Sequence, residues 1–191
     1  MEEFEIKFLE IDVPLLEKKL LSIGAKKAGE YEYKRVLLDY PDWRLDKKHA
    51  WVRLRTDGTL TTLSYKERIG IKSRNADIPD DGMKEIEVEV EDYNKTFELF
   101  REMGFVIKRE QGNRRVRYTK GTAVFDIDFW PQIPPYLEIE GNSLEEAYAS
   151  AQELGFDPKK GLVCSAKQVY RKYGFEEDDY SSMTFAGFIK R

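Results

Sequence analysis

Residues 123–129, Ala-Val-Phe-Asp-Ile-Asp-Phe, and residues 136–140, Tyr-Leu-Glu-Ile-Glu, decide the fold. Side chains alternate between the two faces of a strand. Asp126 and Asp128 therefore share one face, and Phe125, Ile127 and Phe129 share the other. Glu138 and Glu140 oppose Leu137 and Ile139 in the same way. The pattern extends outward along the chain. Glu3, Glu5 and Lys7 oppose Phe4, Ile6 and Phe8; Arg53 and Arg55 oppose Val52 and Leu54. Lys66, with Ser64 and Thr62, opposes Leu63 and Tyr65. Glu85, Glu87 and Glu89 oppose Ile86, Val88 and Val90, and Arg115 and Arg117 oppose Val116 and Tyr118. One such strand is ordinarily half of an antiparallel sheet with a wet side. Wet faces mix Thr, Ser, Gln, Lys and Glu, whereas these carry almost pure charge in strand-sized blocks of one sign.

About eight strands tend to curl, and closure removes the exposed edges. The expected fold is α+β: a closed eight-stranded antiparallel β-barrel with helices packed on its apolar outside and charge lining a tunnel. Acids and bases buried without partners are costly. A divalent cation with a polyanion satisfies both sets. Carboxylate oxygens suit Mg²⁺ or Mn²⁺, and Lys and Arg suit phosphate oxygens, Arg through its bidentate fork.

Composition is consistent with a folded domain. The chain has 191 residues, with 32 Lys and Arg against 36 Asp and Glu, and its 13% aromatic content argues against disorder. No apolar run approaches the roughly 20 residues of a membrane span. The N-terminus lacks a basic-then-apolar signal pattern. One cysteine, Cys164, excludes an intramolecular disulfide framework. The cytoplasm is the expected compartment, and neither nucleic acid nor membrane is an expected partner, because acids and bases interleave without a basic, aromatic stripe. A homodimer is left open.

Three segments repeat a strand–helix unit. Asp12, Asp92 and Ser143 are N-cap candidates, Ser143 forming a capping box with Glu146, and Gly24, Gly104 and Gly155 follow 12 positions later in each case. The first two units lie 80 residues apart, an offset that also sets Arg35 opposite Arg115. Asp57-Gly58 and Lys120-Gly121 read as hairpin turns, and a short last helix is expected from about Ser165 to Tyr173. Residues 68–82 form a polar loop and the best candidate lid. Phe185 and Phe188 are candidate anchors for the tail, and His49 reads as a turn or surface residue.

Glu3-Phe4-Glu5-Ile6-Lys7 resembles the E-x-E-x-K signature of the CYTH superfamily, the triphosphate tunnel metalloenzymes. Asp39-Tyr40-Pro41-Asp42 followed by Trp51-Val52-Arg53-Leu54-Arg55 resembles the family's D-T-P-D … L-R-L-R run, and Ser64-Tyr65-Lys66 its T-x-K. Glu85 to Glu89 resembles the central acidic strand, Arg115-Val116-Arg117 the later basic strand, and Asp126-Ile127-Asp128 with Leu137-Glu138-Ile139-Glu140 the closing D-x-D … E-x-E. The order holds from residue 3 to about 173. It implies a tunnel domain over residues 1–175 with an extension over 176–191. It also implies roles: Glu3, Glu5, Asp126, Glu138 and Glu140 for one or two divalent metals, and Lys7, Arg53, Arg55, Lys66, Arg115 and Arg117 for a triphosphate. Ser165-Ala166-Lys167 resembles a late helix start in the thiamine triphosphatase branch, which adds Lys167 to the phosphate set.

The expected chemistry is metal-dependent hydrolysis of a small-molecule triphosphate, inorganic or organic. A water attacks the terminal phosphorus in line, Glu5 or Asp128 takes the proton, and Lys7 polarises the scissile oxygen. A class IV adenylate cyclase uses the same residues, so the motifs leave it open. Trp43, Trp51, Trp130 and Tyr136 are the aromatic residues a base pocket would need, each equally suited to a core. A non-catalytic polyphosphate- or nucleotide-binding module is the third alternative.

Overall fold

The structure is a computed structural model and describes residues 4–68 and 83–191. Among them run β1 (Phe4–Phe8), α1 (Val13–Ser22), β2 (Lys26–Asp39), β3 (Ala50–Thr56), β4 (Thr61–Arg68), β5 (Met83–Glu89), α2 (Tyr93–Glu102), β6 (Val106–Lys120), β7 (Ala123–Phe129), β8 (Tyr136–Gly141), α3 (Leu144–Glu153), α4 (Ala166–Lys172), β9 (Tyr180–Thr184) and β10 (Gly187–Lys190). No helix among them is long and apolar enough to cross a membrane. Of the candidate lid, residues 68–82, Arg68 ends β4, and residues 69–82 lie outside the described residues, as does Glu3.

Local chemistry sets the helix limits. Asp12 accepts from the Leu15 N–H at 2.9 Å, Asp92 from Lys95 at 2.9 Å, and Ser143 from Glu146 at 3.2 Å, each satisfying a first-turn donor that has no partner within its helix. Gly24 and Gly104 stop α1 and α2 at φ +83° and +88°, a conformation that a Cβ disfavours. The box at α3 is only half formed. The Glu146 carboxylate accepts from the Asn142 N–H at 2.7 Å and from the Thr122 hydroxyl. The complete box is at α4, where Ser165 and Gln168 bond each other's backbone.

The strands run in the order β1-β8-β7-β6-β2-β3-β4-β5, all antiparallel in the pairs between β1 and β6 and between β2 and β5. Two features differ from the expected closed eight-stranded barrel. The tail supplies two further strands: β9 lies parallel on β6 through Glu110↔Ser182 and Gln111↔Met183, and β10 pairs with β9. Among the described residues the sheet therefore has ten strands, and hydrogen bonds do not close it. β1 and β5 end the order, and the edge of β1 turned away from β8 is already used. There the Lys7 N–H donates to the Leu162 carbonyl at 2.8 Å and receives the Leu162 N–H at 2.9 Å.

The chain divides into two units. One comprises residues 4–31 and 114–174 and is built on β1, β8, β7 and the second half of β6. Its core joins Ile6, Phe125, Ile127, Leu137 and Ile139 to Leu16 and Leu20 of α1 and to Ala147 and Ala151 of α3. Burying each larger aliphatic side chain contributes about 1.5–3 kcal/mol. Both faces of β7 are buried, because Asp126 and Asp128 are covered as fully as Phe125 and Ile127.

The other unit comprises residues 32–113 and 175–191. Val36, Leu38, Val52, Leu54 and Phe105 form its core, with Tyr93, Phe97 and Phe100 of α2 packed against it. Here the apolar face of the last strand is bare: Ile86 is 57% exposed and Val88 51%. The tail is fastened within this unit. Arg109 bonds Glu177 at 2.7 Å and Asp178 at 2.9 Å, and Phe188 packs on Tyr180 and Phe175, whereas Phe185, the other expected anchor, is exposed.

Candidate functional site

The first charged cluster is built on β1, β6, β7 and β8. Register places Lys7 opposite Glu138, Asp126 opposite Glu138, Arg115 opposite Asp128 and Arg117 opposite Asp126. Arg115 lies at its centre. Its Nε and Nη2 donate to the two oxygens of Asp128 at 2.7 and 2.6 Å, its Nη1 donates to Asp126 at 2.6 Å, and Nη2 also reaches Glu138. Arg117 forks onto Asp126 at 2.7 and 2.6 Å. Lys7, 1% exposed, donates to Glu5 and lies 2.9 Å from Glu138. Leu162 pairs with the Lys7 backbone, which brings the segment carrying Cys164 alongside. Burial pushes the Cys164 thiol up, so it is held in its unreactive form.

Four acids of this unit (Glu5, Asp126, Asp128 and Glu138) pair with three bases (Lys7, Arg115 and Arg117), and Glu140 stands in register with Glu5. The crowding of acids has visible consequences. Burial pushes the Asp128 carboxyl up, with Glu138 and Asp126 adding to the effect against the pull of Arg115. Burial also acts to raise Glu138, but Lys7 and Arg115 outweigh it and hold that carboxyl below the usual range. Burial disfavours the charged form of Lys7, yet Glu138 and Glu5 raise its affinity for a proton above the ordinary value. Glu5 stands directly opposite Glu140 across β1 and β8. Like charges in that relation destabilise a sheet.

The second cluster is built on β2, β3, β4 and β5. Arg53 donates to Ser64 at 3.1 Å, Glu85 at 3.1 Å and Glu87 at 3.0 Å; Lys66 pairs with Glu85 at 2.7 Å; Ser64 donates to Glu87 at 2.8 Å. Arg55 lies 3.8 Å from Glu87 and over the Tyr33 ring at 5.0 Å. Burial acts to raise Glu87, but the Ser64 hydroxyl, Arg55 and Arg53 hold it low. In this cluster the excess is basic, and Arg35 stands directly opposite Arg55.

Of the residues singled out in the sequence, Glu5, Lys7, Arg115, Arg117, Asp126, Asp128, Glu138 and Glu140 fall in one unit and Arg53, Arg55 and Lys66 in the other. Lys167 is half-buried in the first turn of α4. Arg35 was missed, although its 80-residue offset from Arg115 was the signal that pointed to it. Glu85 and Glu87, unranked by motif, are the direct partners of Lys66 and Arg53. Asp39 of the D-Y-P-D run does structural work: fully buried, it accepts the backbone N–H groups of Tyr40, Leu45 and Asp46 at 2.7–3.0 Å. His49 ends a short 3₁₀ turn in the left-handed conformation.

Among the described residues no three carboxylates converge as a ready cation cage. The reason is visible in the contacts: Arg115, Arg117 and Lys7 engage the acids' oxygens. The donor chemistry nonetheless fits a hard divalent cation, since every candidate ligand is a carboxylate.

Three solved structures place this architecture. PH1012 from Pyrococcus horikoshii matches at 23% identity and a TM-score of 0.66, over 85% of this chain and 96% of its own. A candidate adenylate cyclase from Vibrio parahaemolyticus matches at 14% identity and 0.72, over 90% and 98%. HpAC1 from Hippeastrum, a candidate adenylyl cyclase with a dominant triphosphatase activity, matches at 16% identity and 0.63, over 91% and 96%. Comparison with the curated proteins finds no match. The CYTH domain model matches residues 1–162, spanning the acidic and basic strands of both clusters, and the chain therefore belongs to the CYTH domain family.

Proposed function

We propose that the protein is a divalent-metal-dependent hydrolase of triphosphates, inorganic or organic. The observation that carries this is the cluster around Arg115, where Asp126, Asp128 and Glu138 converge on one guanidinium and Glu5 faces Glu140. Carboxylates gathered in this way suit a cation, and the arginines beside them suit phosphate. Glu5, Asp126, Glu138 and Glu140 are the oxygens that would hold Mg²⁺ or Mn²⁺. A bound ion supplies neutralisation of the phosphate chain's charge.

The remaining work falls to the chain's own side chains. Arg115 and Arg117 present planar forks suited to phosphate oxygens. Lys7 stays protonated through the working pH range, because Glu138 and Glu5 raise it despite burial, so it can stabilise charge on the scissile oxygen. Asp128, pushed up by burial, has the proton affinity that a general base near neutral pH needs. Arg35, Arg53, Arg55 and Lys66 form a second phosphate-seeking set.

Two of the four aromatic candidates favour hydrolysis over cyclisation: Trp130 and Tyr136 are both buried, Trp130 edge-on to Tyr170 at 6.0 Å, and neither offers an open ring face for adenine. Trp43 and Trp51 are half-buried, with Arg191 and Arg68 over their rings. HpAC1, whose dominant activity is triphosphatase, is a precedent within the same fold. The test is incubation with Mg²⁺ or Mn²⁺ and, separately, inorganic triphosphate and ATP, with products resolved. Phosphate without cyclic AMP is the expected result. Cyclic AMP with matching pyrophosphate would establish a cyclase, and binding without turnover a binding module.

A further inference from the structure

Tyr136 opens β8 on its charged face, two residues before Glu138 and directly opposite Asp128 in the register of β7 and β8. It is fully buried, and its hydroxyl has no hydrogen-bond partner among the described residues. Buried hydroxyls are almost always bonded, and an orphan is costly. The ring lies in the field of Asp128, Glu138, Arg115 and Glu5.

The neighbouring acceptors are already engaged. Arg115 bonds both oxygens of Asp128, and Lys7 and Arg115 take one oxygen each of Glu138. The phenol is thus a donor kept beside a phosphate-seeking guanidinium with no acceptor of its own. A cation-bound water does not meet that need, because its lone pair faces the cation and it acts chiefly as a donor. An anionic phosphate oxygen does meet it.

Resting on the hydrolase reading above, we infer that Tyr136 is a further substrate-binding residue, whose Oη donates a hydrogen bond to a phosphate oxygen of the bound triphosphate. Arg115 exchanges its carboxylate partners for phosphate in the same event.

Tyr136→Phe keeps the ring and removes only the donor. Two measurements on the full chain test the inference: the melting temperature without ligand, and the affinity for inorganic triphosphate by calorimetry without added metal. The expected result is an unchanged or higher melting temperature with affinity about tenfold weaker. Wild-type affinity in Tyr136→Phe overturns the inference and leaves the hydrolase reading standing. A lower melting temperature without ligand also overturns it, since the hydroxyl would then already be bonded in the free protein. If the wild-type protein itself binds no triphosphate, with or without Mn²⁺, the hydrolase reading fails and takes the inference with it.

Discussion

The two charged clusters are alike in construction and opposite in balance. Each sits on four antiparallel strands, and each has an arginine that bonds several acids: Arg115 holds Asp126, Asp128 and Glu138, and Arg53 holds Glu85 and Glu87. Each also sets like charges face to face, Glu5 against Glu140 in one and Arg35 against Arg55 in the other. In the cluster around Arg115 acids outnumber bases, and Asp126 and Asp128 are covered while Glu5 is a third exposed. In the cluster around Arg53 the balance is basic, and β5, which carries Glu85 and Glu87, shows its apolar side to solvent. The same alternating pattern thus yields an acid-rich cluster and a base-rich one.

The largest effect is expected from Arg115→Met. It removes the guanidinium that bonds Asp126, Asp128 and Glu138, of which Asp126 keeps Arg117 and Glu138 keeps Lys7, and should cost about 3–5 kcal/mol in denaturant unfolding without metal. Mn²⁺ should restore part of the loss. A loss below about 1 kcal/mol would mean that the acids do not depend on Arg115. Glu5→Gln should lower metal-dependent turnover about a hundredfold with little change in melting temperature, since Glu5 is a third exposed and sits opposite another acid. Wild-type turnover in that variant would remove Glu5 from the site.

Arg55→Ala tests the basic surplus. It should weaken inorganic triphosphate binding about tenfold, and monophosphate binding less. Equal effects on the two ligands would argue against a clamp for a phosphate chain.

A pH series separates Asp128 from its neighbours. Burial raises its folded-state pKa, so its contribution to stability is present below the unfolded value of about 4 and is lost as pH rises through the raised value. Asp128→Asn carries no such charge. Its melting temperature relative to wild type should therefore climb as pH rises, in metal-free buffer. A flat or falling difference would show Asp128 ionised throughout as the partner of Arg115.

The smallest effect is expected from Ile86→Asp. At 57% exposure the change should cost under about 0.5 kcal/mol. A loss above about 2 kcal/mol would mean that the apolar side of β5 is covered in solution.

Much of this was legible along the chain, because the signals are local. Period-two alternation assigned the faces of β1, β3, β4, β6, β7 and β8, and cap-to-glycine spacing marked α1, α2 and α3. The charged strands also carried the family's motifs in order, and so named most of the candidate site residues. The non-local features were not legible. β2 runs from Lys26, and β6 starts at Val106, well before the alternation around Arg115 and Arg117. Arg35 sits in a strand whose neighbours Lys34 and Tyr33 break the clean alternation.

By itself, the sequence determined which residues are charged on which strand face, where the helices begin and stop, and the family. Those depend on side-chain period, caps and motif order, all written within a few residues of one another. Only the tertiary structure decided that, among the described residues, ten strands rather than eight make the sheet, that hydrogen bonds do not close it, that Leu162 pairs with the edge of β1, and that Ile86 faces solvent. It also decided that the hydroxyl of Tyr136 is left unbonded beside Asp128. Those facts depend on which strand edges and side chains meet across long separations in the chain, where pairing and burial are settled by competition among partners that no local pattern records.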